Sequence, residues 1–285
     1  MINNTFDLTG KVALVTGGAG SIGQAIAAAF CDHGASVLIG SRNAERVKSA
    51  VAALARPNLP VEEVQPVAGL RLDVTSDNSV ERACRRAVDL FGRLDILVNC
   101  AGQMVRRPTF ELTVDQFDQL HQTHVSGSLR CSLAAGHIFR EQHGGCIINI
   151  ASVSSLVDLI EVAAYASAKN AILGLTRSLA NEWAKFGIRT NAIAPGFIPT
   201  DLNWELIVNT DRGRRILEHT PMARFGRPEE MGPPAVFLAS DAASFVTGHT
   251  LVVDGGFTAS GIGDSDAPWA PASAAVEADA LAAED

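Results

Sequence analysis

Tyr165 and Lys169 stand four residues apart in Tyr165-Ala-Ser-Ala-Lys169, and on a helix that spacing puts two side chains on one face. A free tyrosine titrates near ~10, too high to act as a base at neutral pH. A lysine cation beside it would favour the tyrosinate and lower that value. Ser152, a little upstream, offers a hydroxyl that could orient a carbonyl or alcohol by hydrogen bonding. Together the three side chains could move a proton to or from the oxygen of an alcohol–ketone pair. Alone, the pair could be a tyrosine next to an unrelated lysine. Against that, the chain has 12 Phe and 3 Trp but a single Tyr, which is this one, so tyrosine is not used as general filler.

Those residues need a scaffold, and the chain alternates short apolar runs with helical spacing. Strands are expected at 12–16, 36–39, 70–73, 94–98, 146–150, 189–193 and 250–253. Helices are expected at 22–33, 43–54, 76–91, 113 to about 137, 163–186 and 228–239. Continuous Val/Ile/Leu runs suit strands buried on both faces. Alternation with helices implies a parallel sheet covered on both sides. The expectation is one Rossmann-like, doubly wound α/β domain of about seven parallel strands over residues 1–260. Ser152 follows the fifth strand, at the edge where open α/β sheets bind ligands. Three stretches break the rhythm. Residues 56–66 carry three prolines. Residues 195–214 form a long connection, a candidate lid. Residues 261–285 are an acidic, Ala-rich tail expected to be mobile.

Gly17, Gly18, Gly20 and Gly23, with Ser21 and Ile22 among them, occupy the turn between the first strand and the first helix. Glycines there let backbone N–H groups approach a pyrophosphate at a helix N-terminus; a plain tight turn is the alternative. The second strand runs into Ser41 and Arg42, and no acid occurs from Ala35 to Ala44. A carboxylate at this place commonly binds the 2′-hydroxyl of NAD. Ser41 and Arg42 could instead bind a 2′-phosphate, although Arg42 could also be a solvated loop cation. NADP(H) is therefore favoured and NAD(H) is possible. Asp73 and Val74 end the third strand, where a side chain can meet the adenine. Asn99, Cys100, Ala101 and Gly102 end the fourth and would pass beside the cofactor.

Bulk properties narrow the class. A 285-residue chain with 47% apolar residues can bury a large core. Its net charge of −8 argues against a polyanionic partner such as nucleic acid. No Lys or Arg follows Arg227, and six acids fall after residue 260, so the rest of the chain is near neutral. Five scattered cysteines without metal-ligand spacing read as reduced thiols of a cytoplasmic protein. No apolar run approaches a membrane span, and no His/Cys/carboxylate cluster predicts a metal.

Over about residues 8–257 the sequence resembles the short-chain dehydrogenase/reductase family. The matching pieces are Thr16-Gly-Gly-Ala-Gly-Ser-Ile-Gly23, Asp73-Val74, Asn99-Cys-Ala-Gly102, Ser152, Tyr165-xxx-Lys169, Asn191-Ala-Ile-Ala-Pro-Gly196 with Thr200, and Asp254-Gly-Gly256. The resemblance implies hydride transfer between a nicotinamide and a carbonyl/alcohol pair. Tyr165 would exchange the proton, Ser152 would hold the substrate oxygen, and Lys169 would bind the nicotinamide ribose and tune Tyr165. Pro195, Gly196, Ile198 and Thr200 would cover the nicotinamide. It also implies a homotetramer or dimer with the helix at 163–186 in an interface. Three departures stand out. Ser21 replaces a usual Gly, Cys100 a usual Asn, and His124 a catalytic Asn in His124-Val-Ser-Gly127. The Asn's backbone carbonyl serves a proton path to the lysine. A histidine keeps that carbonyl, and its imidazole could either join the relay or merely fill the site.

The substrate is the least determined part. Segments 104–110, 153–161 and 198–209 should face it, and Arg106 and Arg107 could bind a carboxylate or be solvated. Asn149-Ile-Ala-Ser152, Asn181-Glu-Trp-Ala184 and Arg224-Phe-Gly-Arg-Pro-Glu229 resemble the gluconate 5-dehydrogenase and deoxygluconate dehydrogenase branch. The expected reaction is therefore on a small sugar acid or polyol. Reduction of a 3-oxoacyl thioester or a general ketone is the alternative, and a non-catalytic nucleotide sensor is an alternative of another class.

Overall fold

The computed structural model describes residues 5–55, 66–201 and 203–260. Seven strands form one sheet in the order β3-β2-β1-β4-β5-β6-β7, and every neighbouring pair is parallel. The strands are β1 Val12–Thr16, β2 Ser36–Ser41, β3 Val67–Arg71, β4 Ile96–Asn99, β5 Gly145–Ile150, β6 Ile188–Pro195 and β7 Thr250–Val253. All five residues of β1 and all four of β4 are buried, as central strands covered on both faces require. Strand order reverses between β1 and β4, and the crevice outside the strand ends opens there.

One face is filled by α1 (Ser21–Asp32), α2 (Ala44–Leu54) and α9 (Gly232–Ala239), with Ile26, Phe30, Val47 and Val236 against Val15, Ile39 and Ile148. The other face carries α3 (Asp77–Phe91) and α5 (Gly127–Glu141), with Val80, Ala87, Ala135 and Phe139 against Leu14, Leu38, Leu97 and Ile147. The helices start where short polar side chains can cap them. Asn43 accepts from the Arg46 N–H, Ser76 from Ser79 and Thr113 from Gln116, each contact contributing about 1 kcal/mol.

Three departures from the sequence expectation matter for the site. The long helix expected from residue 113 is α4 (Val114–His121), a π-turn over Gln122–Ser126, and then α5. The expected lid holds two short helices, α7 (Trp204–Ile207) and α8 (Asp211–His219). The last predicted helix begins as a 3-10 turn, Pro228–Met231, before α9. The proline-rich stretch up to residue 65, Leu202 and the acidic tail lie outside the described residues. Among the described residues no helix is long and apolar enough to cross a membrane.

Candidate active site

The β1–α1 turn is shaped by close backbone approach. Gly17 has φ +67, and a methyl there would lie 2.8 Å from the Cys100 carbonyl oxygen. At Gly23 a methyl would collide with the Gly17 carbonyl oxygen. Thr16 ties this turn to the end of β4. Its hydroxyl donates to the Val98 carbonyl at 3.2 Å and accepts from the Cys100 and Ala101 N–H groups, both at 3.1 Å. The N-cap of α1 is Gly20, which has no side chain to satisfy the first-turn N–H groups. They are thus in the setting where a pyrophosphate is bound.

From this turn a cavity of about 550 Å³ runs along the sheet edge. Gly17, Gly20, Ser21, Ile22 and Gly23 line one end, with Ser41 and Arg42 at the end of β2. Gly102, Ser152, Tyr165 and Lys169 line the other, under Pro195, Gly196, Ile198 and Thr200. One long cleft with a glycine cradle at one end and polar side chains at the other fits a dinucleotide. The turn would hold its phosphates, and Ser41 and Arg42 its adenosine ribose.

Four of the expected cofactor residues do not line the cavity. Asp73 folds back on its own turn, accepting from the Thr75 N–H and hydroxyl at 2.9 and 2.7 Å, and those bonds hold its carboxyl below the usual range. Val74 is buried where a Gly127 side chain would otherwise sit. Asn99 points into the sheet face, donating to Asn149 Oδ1 at 2.9 Å and to the Ser132 hydroxyl at 3.1 Å. Ala101 presents its N–H to Thr16. These residues hold the cleft's walls. Arg46 and Asn43 line the cleft and were not singled out from the sequence. Arg46 Nη2 pairs with Asp201 at 3.0 Å, joining α2 to the lid. Asp201 is the only carboxylate among the described lining residues.

At the chemical end α6 (Ala163–Trp183) presents Tyr165 and Lys169 together. Lys169 is 6% exposed and donates to the Ile150 carbonyl at 2.6 Å, with its Nζ 5.6 Å from the Tyr165 ring centre. Burial lowers the Lys169 ammonium to about 8. Burial also pushes the Tyr165 hydroxyl up, with a hydrogen bond to Ser152 pulling the other way. This corrects the expectation that Lys169 lowers Tyr165. The ammonium is drawn to the Ile150 carbonyl, desolvation dominates, and the side chains alone keep Tyr165 protonated at neutral pH.

His124 sits in the π-turn, 2% exposed, edge-on to Tyr165 with ring centres 5.5 Å apart. Its Nε2 lies 2.7 Å from the Gln103 carbonyl oxygen and 3.2 Å from the Gln103 N–H. The shorter contact assigns the proton to Nε2, donating to Gln103. Nδ1 is then a buried acceptor without a partner among the described residues. Burial, then the Lys169 cation, lowers the imidazole to about 3, so the ring is neutral at physiological pH. Gly102 makes room for it, since a methyl there would lie 2.5 Å from Cε1.

A smaller cavity of about 100 Å³ opens beside Ser152 and Tyr165. Arg106 and Arg212 line it, and Glu161 is ion-paired to Arg106 and lies 3.9 Å from Arg212 Nη1. Arg107, the other candidate, lies outside this lining, at 4.0 Å from Glu111. Arg212 was hidden in the expected lid. The sequence signal for it was Thr210, which accepts from the Gly213 N–H at 3.0 Å and starts α8. Among the described residues no group of three potential metal ligands gathers.

The family model described as enoyl-(acyl carrier protein) reductase matches residues 17–258. A 2-dehydro-3-deoxy-D-gluconate 5-dehydrogenase of Dickeya dadantii is 39% identical over 91% of this chain and 100% of its own length. D-threitol dehydrogenase of Mycolicibacterium smegmatis is 38% identical over 89% of this chain and 95% of its own. A crystal structure of gluconate 5-dehydrogenase from Burkholderia cenocepacia, in complex with NADP and tartrate, superposes with a TM-score of 0.84 at 32% identity, covering 90% of this chain and 99% of that one. A match that runs from the glycine turn through the last strand leaves no room for a different lineage: the chain belongs to the short-chain dehydrogenase/reductase family, as an NAD(P)(H)-dependent oxidoreductase of alcohols and ketones.

Proposed function

We propose that the protein interconverts a secondary alcohol and a ketone on a small sugar acid or polyol of the gluconate type, with NADP(H) as the favoured cofactor. The observation that carries this reading is the convergence of Ser152, Tyr165 and Lys169 at one end of the cleft whose other end is the glycine turn. The names of the relatives, acting on gluconate derivatives and on a tetritol, support the substrate class. Ser41 and Arg42 at the end of β2, with Asn43 and Arg46 at the start of α2, support NADP(H), since three of them can donate to a phosphate monoester and the one acid among the described lining residues, Asp201, is already paired to Arg46.

The nicotinamide, when bound, supplies or accepts the hydride. The chain's own part is proton handling and orientation. Ser152 donates a hydrogen bond to the substrate oxygen. Tyr165, protonated at neutral pH, gives its Oη proton to a ketone oxygen in the reductive direction. In the oxidative direction the same oxygen must first lose its proton, so oxidation gains with rising pH. Lys169 keeps its place on the Ile150 carbonyl and supplies positive charge below about pH 8. His124 stays neutral and offers Nδ1 as an acceptor near the same end. The reading includes a cytoplasmic location and assembly as a homotetramer or dimer; the exposed Leu129 and Leu133 on α5 support the assembly alone.

The test is initial-rate kinetics with NADPH and NADH, and with NADP+ and NAD+. Substrates are keto sugar acids, gluconate, polyols, simple ketones and a 3-oxoacyl thioester. Tyr165→Phe runs beside wild type. Turnover of the polyhydroxylated substrates, lost by roughly a thousandfold or more in Tyr165→Phe, is expected. Turnover confined to the thioester would replace the substrate reading. Tight cofactor binding with no turnover of anything would replace the enzyme reading by a sensor.

A further inference from the structure

We propose that Arg106, Glu161 and Arg212 form an anion subsite that receives the carboxylate of the substrate and makes the enzyme select hydroxy or keto acids over neutral polyols. The inference rests on the alcohol–ketone reading above and narrows its substrate class.

Three separate parts of the chain meet at this point. Arg106 follows β4, Glu161 precedes α6, and Arg212 lies in the first turn of α8. Arg106 and Arg212 line the same small cavity as Ser152 and Tyr165, so a group held by them belongs to a molecule whose reacting oxygen reaches Tyr165. Arg106 is paired to Glu161, and Arg212 Nη1 is 3.9 Å from the same carboxylate oxygen. Among the described residues, two guanidinium groups against one carboxylate leave one positive charge uncompensated. Arg212 registers the imbalance. Its side chain is 27% exposed, and burial followed by the Arg106 cation lowers its proton affinity, with Glu161 opposing. The positive end of a helix is also a poor place for a cation. Neither feature stabilises the fold, and both are relieved by an anion. None of the described residues that line the cavity is an acid: Ser152, Tyr165 and Asn203 are its other polar members, and Met104, Leu159, Val162, Leu206 and Ile207 are apolar.

The subsite is held in place by backbone. Glu161 has φ +69, a conformation unfavourable for a side chain of its kind. Its carbonyl accepts from the Arg107 N–H at 2.7 Å. That bond fixes the Arg106 segment against the approach to α6. Arg107, with its backbone used here and its side chain toward Glu111, takes no part in binding. A guanidinium binds a carboxylate through two parallel hydrogen bonds, which a hydroxymethyl group cannot match. Glu161 occupies the guanidinium of Arg106 in the free protein, so an incoming carboxylate enters beside Arg212 and shares the pair.

The test compares gluconate with sorbitol, which has the same carbon skeleton without the charge. Binding of each to the wild-type–NADP+ complex is measured by calorimetry, and kcat and KM by initial rates at two salt concentrations. Arg212→Gln, Arg212→Lys and Glu161→Gln are compared with wild type, and NADPH binding serves as the check of folding. In wild type, gluconate binds more tightly than sorbitol, and added KCl raises the KM of gluconate but not of sorbitol. Arg212→Gln raises the gluconate KM roughly 10- to 100-fold with kcat within about threefold, and raises the sorbitol KM by much less. Arg212→Lys recovers part of the loss. Glu161→Gln binds gluconate at least as tightly as wild type. Equal losses on both substrates, or no preference and no salt effect in wild type, overturn the subsite. If Arg212→Gln fails to bind NADPH, the wild-type salt effect and Arg212→Lys decide. If neither these two compounds nor the keto sugar acids turn over, the reaction proposed above falls. Gluconate binding that depends on Arg212 would still uphold the subsite, and absence of that binding would remove it as well.

Discussion

At the β1–α1 turn the groups that face the cleft are backbone N–H groups, brought there by Gly17 and Gly23 and braced by Thr16. At the mouth beside Tyr165 they are the ends of long side chains, Arg106, Glu161 and Arg212, carried on three separate segments. The first region depends on close backbone approach at Gly17 and Gly23, where an added side chain collides with backbone. The second can be retuned one residue at a time while the turn is left alone. The difference teaches where this molecule keeps what is common to its reaction and where it keeps what is particular to its substrate.

The largest effect is expected where backbone meets backbone. Gly23→Ala would place a methyl against the Gly17 carbonyl and 3.0 Å from the Gly18 Cα. NADP+ binding should weaken by roughly a hundredfold or more, or the thermal midpoint should collapse. Calorimetry and a melting curve read the two outcomes, and binding within about threefold of wild type would mean the turn has slack. Next comes Arg42→Ala, a side-chain change at the same end of the cleft. The ratio of NADP+ to NAD+ kcat/KM should fall by about tenfold, and an unaltered ratio would return Arg42 to the role of a solvated loop cation.

His124→Asn lies between the two regions and should change kcat by less than roughly tenfold. Its sharper readout is stability against pH. His124 titrates at about 3 in the folded protein against an ordinary 6.5. Between those values the unfolded chain binds the extra proton, so stability is held above about pH 6.5 and lost as pH falls toward 3. Melting curves of His124→Asn should therefore flatten over that window. A slope equal to that of wild type would show that the imidazole is hydrated in place. The smallest effect is expected at Glu230, whose pair with Arg224 (2.6 and 2.8 Å) holds its carboxyl at about 2. Stability from this pair is present above the ordinary 4.5 and is lost as pH falls toward 2. Arg224 is partly exposed, so Glu230→Gln should cost only about 1 kcal/mol at pH 7. The gap to wild type should close on acidification.

The backbone-built region was the more legible from sequence. Glycines at fixed offsets after a buried strand have few uses, and strands covered on both faces announce themselves as apolar runs; β1 and β7 match their expected bounds. The side-chain region was only partly visible. Arg106 was identified with its neighbour Arg107, and nothing in two adjacent arginines says which one turns inward. Arg212 lay in Asp211-Arg-Gly-Arg-Arg215, which reads as a polar loop because its helix has few apolar residues to show a period. Tertiary contact at Ile216, 7% exposed, supplies what periodicity did not. Asn99 was found as part of a motif expected to pass beside the cofactor, and the motif does not say which way its side chain turns. Alternation along β4 sends its amide to Asn149 and Ser132.

The π-turn at Gln122–Ser126 has a consequence for the length of the chain itself. A π-turn is an α-helix carrying one residue too many. Deleting any one residue of this segment would let α4 and α5 join in regular register, with better helical hydrogen bonding and every position on one side of the cut rotated by roughly a quarter turn. The turn that holds His124 against Gln103 and Tyr165 would be gone. Such a shortened chain would have the more regular helix, but Leu120 of α4 or Ala135 and Phe139 of α5 would turn away from the core, so stability and reaction should fall together.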